Sequence, residues 1–197
     1  MTDWRLTAIV SDATPGAARG GIDAAIELDI GNGGWRATGD EPPAIYAERM
    51  RATSSTNRGI ARRLNIQDSD GTLVVSFKPK LAGVAAFITE HATRMRKAYL
   101  HVVLPDGDRS KMPESVAQEV REWIREAPIS ILNVAGPTEE ECPGIQEAVR
   151  DMLVWIFEDE VDQVDRGITF APEKCPACGE IGDPGHACPA DADPEPA

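Results

Sequence analysis

Thr72-Leu73-Val74-Val75-Ser76-Phe77 and Tyr99-Leu100-His101-Val102-Val103-Leu104 are nearly continuous apolar runs. A strand needs that pattern when both of its faces are covered, because neither side then meets water. Shorter β-rich runs lie at residues 6–11, 32–37 and 129–134, the second being the weakest. Between them an apolar residue returns every three or four positions. Residues 19–28 carry Ile22, Ala25, Ile26 and Leu28, residues 81–96 carry Val84, Phe87 and Ile88, and residues 114–126 carry Val116, Val120, Trp123 and Ile124. In residues 144–160 the stripe is Ile145, Ala148, Val149, Met152, Leu153 and Ile156. That period predicts four helices. Pro113 and Pro143 stand just ahead of the third and fourth, where a missing N–H costs nothing. Strands alternating with helices predict parallel β-α-β units, hence a three-layer α/β sandwich with a mainly parallel sheet of about five strands.

A chain of 197 residues suits one such domain and a small appendage. Residues 1–160 carry the alternating pattern, 161–171 form an acidic linker, 172–189 are rich in Cys, Pro and Gly, and 190–197 have nothing to bury and are expected to be disordered. Twenty Lys and Arg face 33 Asp and Glu, a net charge of −13, which argues against a nucleic-acid partner. No apolar run approaches the ~20 residues that span a bilayer, so no membrane role is expected. The first five residues lack a basic region followed by an apolar stretch, which makes the cytoplasm the expected location. Whether the chain forms a homo-oligomer is left open.

Three of the four cysteines fall within residues 175–188, as Cys175, Cys178 and Cys188, together with His186. The spacing C-x2-C-x7-H-x-C supplies three thiolates and an imidazole, the donors that tetrahedral Zn2+ prefers, and four ligands close the site against catalysis. Gly179 suits the tight turn after the second thiolate, and Pro184-Gly185 returns the chain toward the metal. A structural zinc is therefore expected at Cys175, Cys178, His186 and Cys188, with metal binding supplying most of the folding energy of so small a knuckle. The bland alternative is an unliganded tail with reactive thiols.

In a parallel sheet, ligands bind beyond the carboxyl ends of the strands, so the segments following each strand carry the functional expectation. Three stretches within the domain resemble one family. They are Ile22-Asp23-Ala24-Ala25-Ile26-Glu27 with Gly33-Gly34-Trp35, then Asn65-Ile66-Gln67-Asp68-Ser69-Asp70-Gly71-Thr72-Leu73, and Leu132-Asn133-Val134-Ala135-Gly136-Pro137 with Pro143-Gly144-Ile145. Together, over about residues 5–155, they resemble the putative molybdenum carrier family, a circularly permuted branch of a Rossmann-like superfamily that includes lysine-decarboxylase-like phosphoribohydrolases and nucleotide-sensing proteins. The resemblance implies a Rossmann-like sheet and a site for a phosphate-bearing small molecule, either molybdopterin cofactor or a nucleotide. It brings Gly16, Arg19, Gly33, Gly34, Ser69, Asp70, Gly71, Thr72, Gly83, Ala135, Gly136 and Glu139 forward as ligand-binding candidates.

The sequence also departs from that family. Its first loop, Gly-Gly-Gln-Thr-Gly-Ala-Asp, is here Asp12-Ala13-Thr14-Pro15-Gly16-Ala17-Ala18. A glycine-rich turn before a helix lets backbone N–H groups close around phosphate. Pro15 removes one donor and Asp12 adds a repulsive charge. The family's Gly-Gly-Thr becomes Gly83-Val84-Ala85, and its Arg-Glu becomes Thr138-Glu139. Either the ligand differs or the site has become an interaction scaffold. A nucleotide N-glycosidic hydrolase would need an acid such as Asp70 or Glu139. The local readings compete with these: residues 68–72 also fit an Asx turn before a buried strand, and Arg49, Arg51, Arg58, Arg62 and Arg63 fit a solvated helix face as well as a phosphate-facing one. Cys142 has no basic sequence neighbour to activate it, and His101, within an apolar strand, reads as a satisfied core histidine.

Overall fold

The computed structural model describes residues 6–104 and 112–161. Residues 105–111, the expected 172–189 knuckle and 190–197 tail, and all but the first residue of the expected 161–171 linker lie outside the described residues. Those described form β1 (Ala8–Val10), α1 (Ala17–Glu27), β2 (Gly31–Arg36), α2 (Ala44–Ala47), β3 (Met50–Ala52), α3 (Arg58–Asp68), β4 (Gly71–Ser76), α4 (Gly83–Arg94), β5 (Ala98–Val103), α5 (Glu114–Glu126), β6 (Ile131–Ala135) and α6 (Ile145–Val161). The strands make one sheet in the order β3-β2-β1-β6-β4-β5, and every pairing is parallel. Its central strand is the last in sequence, with Leu132 opposite both Ile9 and Gly71. No helix among the described residues is long and apolar enough to cross a membrane.

The sheet has six strands rather than about five because Met50–Ala52 adds itself to the free edge of β2. Three residues with a central arginine show no alternation, so nothing in that stretch signals a strand; the unpaired backbone of β2 creates it. Helix α3 is hidden for a related reason. Its arginines mask a narrow buried stripe of Ile60, Ala61 and Ile66, and Asn57 caps it by accepting the Gly59 N–H at 2.9 Å.

One face of the sheet packs Ile9, Leu73, Val75, Leu132 and Val134 against α1, α5 and α6. The opposite face packs Val74 and Ala135 against Ile66 of α3 and Ile88 of α4. This is the three-layer sandwich, with α6 as its most deeply set helix: Ile145, Val149, Met152, Leu153, Ile156 and Phe157 are all fully buried. Glu139 starts that helix by accepting the Gly144 N–H at 2.5 Å and the Gln146 N–H at 3.1 Å.

Two glycines let α1 settle between β6 and α6. A methyl group added at Gly20 would stand 2.3 Å from the Gln146 carbonyl oxygen, and one at Gly21 would stand 2.6 Å from Val134 Cβ. Gly20→Ala gains about 0.5–1 kcal/mol of helix preference but forces a main-chain shift whose overpacking cost is about 1–3 kcal/mol. The expected outcome is net destabilisation, read as a lower urea midpoint at an unchanged slope.

Candidate functional site

The loop after β1 and the loop after β6 meet at the carboxyl edge of the sheet. Gly16 and Thr138 form an antiparallel bridge, Ala17 N–H donates to the Pro137 oxygen at 3.1 Å, and Glu139 N–H donates to the Pro15 oxygen at 2.9 Å. Gly16 has φ +123°, and a Cβ there would lie 2.6 Å from both Glu139 N and the Pro137 oxygen. Only glycine fits. Gly136 is equally confined, since its Cβ would lie 2.2 Å from the Val75 oxygen.

Under this junction lies a small open hollow, with about 20 Å3 of room for the centres of water molecules. Helices leave β6 and β4 on opposite faces of the sheet, which is where such folds open a crevice. Val84 and Ile88 of α4 form an apolar wall, and Ala135, Gly136 and Pro137 form the rim. Its polar side chains are Asp12, Thr14, Arg62, Asn65, Asn133 and Thr138.

Asp12 organises them. One carboxylate oxygen accepts the Thr14 N–H at 3.0 Å and the other accepts Arg62 Nε at 2.8 Å. The pair is nearly shut away from solvent, at 4% side-chain exposure for Asp12 and 16% for Arg62. Arg62 spends only Nε in the fold; among the described residues its two terminal nitrogens meet no acceptor. Thr14 Oγ1 is buried and has no hydrogen-bond partner. Asn133 rests on Thr72, donating from Nδ2 to its Oγ1 at 3.2 Å. Asn65 binds the backbone of Trp35 through both ends of its amide, at 2.7 and 3.0 Å.

The backbone amides expected to cradle phosphate are committed elsewhere. Gly16 N–H points to Gln146 Oε1 at 3.4 Å, Ala17 N–H to Pro137, and Arg19 N–H to the Thr14 oxygen at 3.2 Å. A nest of free main-chain donors is therefore not what this loop presents.

Of the residues expected at a ligand site, Ala135 and Gly136 line the hollow. Gly16 and Glu139 build the junction above it, Glu139 through the α6 cap. Gly83, at φ +54°, stands beside Val84, and a Cβ there would strike the Glu141 carboxylate. Arg19 turns away: its Nε donates to the Ala13 oxygen at 3.1 Å, and its guanidinium stacks 5.4 Å from the Tyr46 ring centre. Gly33 and Gly34 sit in β2 against the backbone of Arg49 and Ser11. Ser69, Asp70 and Gly71 lie at the amino edge, the wrong end of the sheet for this hollow. There Ser69 Oγ donates to the Ile66 oxygen, Gly71 packs on Ile129 and Trp123, and Asp70 accepts the Ser130 and Ile131 N–H groups at 2.9 and 2.7 Å. Thr72 stands one layer beneath the hollow, under Asn133. Neither Asp70 nor Glu139 is positioned as an uncommitted acid.

Arg62 and Asp12 are what the sequence conceals. Arg62 is one of five clustered arginines, and Asp12 reads as a charge hostile to phosphate until the two are seen 2.8 Å apart, 50 positions apart in sequence.

The remaining titratable groups serve the scaffold. Burial, reinforced by a 2.7 Å hydrogen bond to Asp23, pushes the Tyr46 phenol up to about 12. Burial also raises the Cys142 thiol, against the pull of Lys78. Ser76 donates to the Lys78 oxygen at 2.7 Å, so the 2.8 Å contact from His101 Nε2 has the ring nitrogen as donor to Ser76 Oγ. Burial lowers the His101 pKa. Unfolded chains therefore take up the proton first as pH falls below about 6.5, and the folded state loses stability down to the depressed value. Denaturant titrations between pH 7 and 5 should show a steeper loss for the wild type than for His101→Gln; parallel curves would refute that assignment.

The fold defines the class: a Rossmann-like α/β sandwich built on a parallel sheet, with a small hollow at its carboxyl edge. Residues 9–157 match the circularly permutated YpsA SLOG family, and the chain belongs to it. The crystal structure of a putative molybdenum carrier protein from Syntrophus aciditrophicus SB is similar, with 29% identity, a TM-score of 0.68, and coverage of 77% of this chain and 94% of that one. Among curated proteins none matches.

Proposed function

We propose that the chain is a binding protein for a phosphate-bearing small molecule, nucleotide-like or molybdopterin-like, seated in the hollow between the β1 and β6 loops. The observation that carries this reading is the hollow itself, at the carboxyl edge where the two loops join beside the first turn of α1. The similar structure's name, molybdenum carrier, adds support for a bound small molecule over a reaction. The hydrolase alternative loses ground because both acids named for it are engaged by backbone N–H groups. A ligand that binds only the folded state raises the melting temperature. Thermal-shift titration with nucleoside monophosphates and molybdopterin should show a saturable rise, and no rise with any phosphate ester would favour the scaffold reading.

The same proposal includes a structural zinc at Cys175, Cys178, His186 and Cys188, supported by the ligand spacing. These four residues lie outside the described ones; among the described residues no group of three or more His, Cys, Asp or Glu could hold a metal. Elemental analysis of the full chain should find one zinc per molecule in the wild type and none in Cys175→Ser. Zinc retained by that variant would refute the ligand set.

A further inference from the structure

Building on the proposed ligand site, we infer that Arg62, steered by Asp12, is the anion-binding group of the hollow and that the pair restricts it to a single phosphoryl group. Most of the first-turn amides are engaged by the fold: those of Gly16, Ala17 and Arg19 have acceptors within the protein, which leaves Ala18, in the lining of the hollow, as a single main-chain donor rather than a nest. Charge recognition then falls to side chains. Arg62 reaches the hollow from α3, and Asp12 holds it through Nε alone. A guanidinium bound that way keeps its two terminal nitrogens as a fork for an oxyanion. Thr14 adds a buried hydroxyl with no partner, and its own N–H is tied to the same carboxylate that holds Arg62. Asp12 thus fixes a cationic donor and a neutral donor side by side.

Asp12 also sets the limit. Its charge cancels that of Arg62, and Glu139 and Glu141 stand in the loop at the rim, Glu141 accepting the Thr138 N–H at 2.8 Å. One phosphoryl group can share the arginine with the carboxylate. A second would face the Asp12 carboxylate without a further cation in the lining, since no lysine or other arginine lines the hollow. The site therefore accepts a phosphomonoester and discriminates against diphosphates.

Calorimetry on the full chain with orthophosphate, pyrophosphate, AMP and ADP tests this. The wild type should bind orthophosphate and AMP, with pyrophosphate and ADP weaker by about tenfold or more. Asp12→Asn should tighten AMP and narrow the gap to ADP, whereas Arg62→Gln should weaken AMP by at least about tenfold. If Arg62→Gln fails to fold because Asp12 is left without its cation, the double variant Asp12→Asn with Arg62→Gln removes both charges and should show the same loss of AMP. Phosphate binding that ignores the Arg62 variants, or ADP binding as tight as AMP in the wild type, overturns the inference and leaves the ligand site standing. Absence of binding by all four compounds and by molybdopterin removes the proposed function and this inference together.

Discussion

Helix α1 touches β6 and α6 at backbone distance, and the architecture of the carboxyl edge follows from that contact. Gly20 and Gly21 are the only residues in the first half of α1 without side chains, and they face Gln146 and Val134. With α1 drawn in so far, its first turn arrives at the level of the β6 loop. Gly16 can then bridge Thr138, and Gln146 can reach both the Gly16 N–H and Asp23. Asp23 in turn holds Tyr46 of α2. A larger residue at either glycine would lift α1 and open this whole chain of contacts.

That tight seating has an electrostatic consequence. A helix N-terminus is an anion site only while its first N–H groups lack acceptors. Here Pro137 of the neighbouring loop and Gln146 of α6 accept the Ala17 and Gly16 N–H groups, so the same contact that builds the hollow also engages most of its backbone donors. Asp12 beside this turn would be destabilising on its own, because a buried carboxylate without a partner is costly. Arg62 makes it tolerable. The loop has exchanged a glycine cradle, which reads any phosphate, for a matched ion pair whose reach is set by α3.

Much of the fold is legible in the sequence from its apolar runs. Residues 72–77 and 99–104 could be read as strands from composition alone, and the observed β4 and β5 differ from those bounds by one residue at each end; β4 is buried throughout, whereas β5 is the edge strand, with Tyr99 exposed and Val102 its one buried residue. Helix α5 is matched at both ends, since Pro113 before it and Glu114 within its first turn mark its start. What stayed hidden is long-range. Strand β3 exists only because β2 has a free edge, and Asp70 reads like a ligand residue because nothing local reveals that it caps the entry to β6 at the opposite end of the sheet. Glycines likewise announce unusual backbone without saying whether a ligand or a neighbouring strand is the cause; for Gly33, Gly34 and Gly136 it is a strand or its flanking backbone.

The orphaned polar atoms separate a working hollow from a relic. Leaving a buried polar group unpaired costs about 1–3 kcal/mol, and in and beside the sheet Thr14 at Oγ1, Asn32 at both ends of its amide and Arg36 at Nε bear that cost. Asn32 lies opposite Ile9 in β2, on the face packed by α1, and does not line the hollow. Thr14 does, next to an arginine with two uncommitted nitrogens. Packing alone does not reward a buried hydroxyl without a partner beside a guanidinium with two uncommitted nitrogens. Their convergence on one carboxylate, rather than any single glycine, is the observation on which the proposed anion site rests.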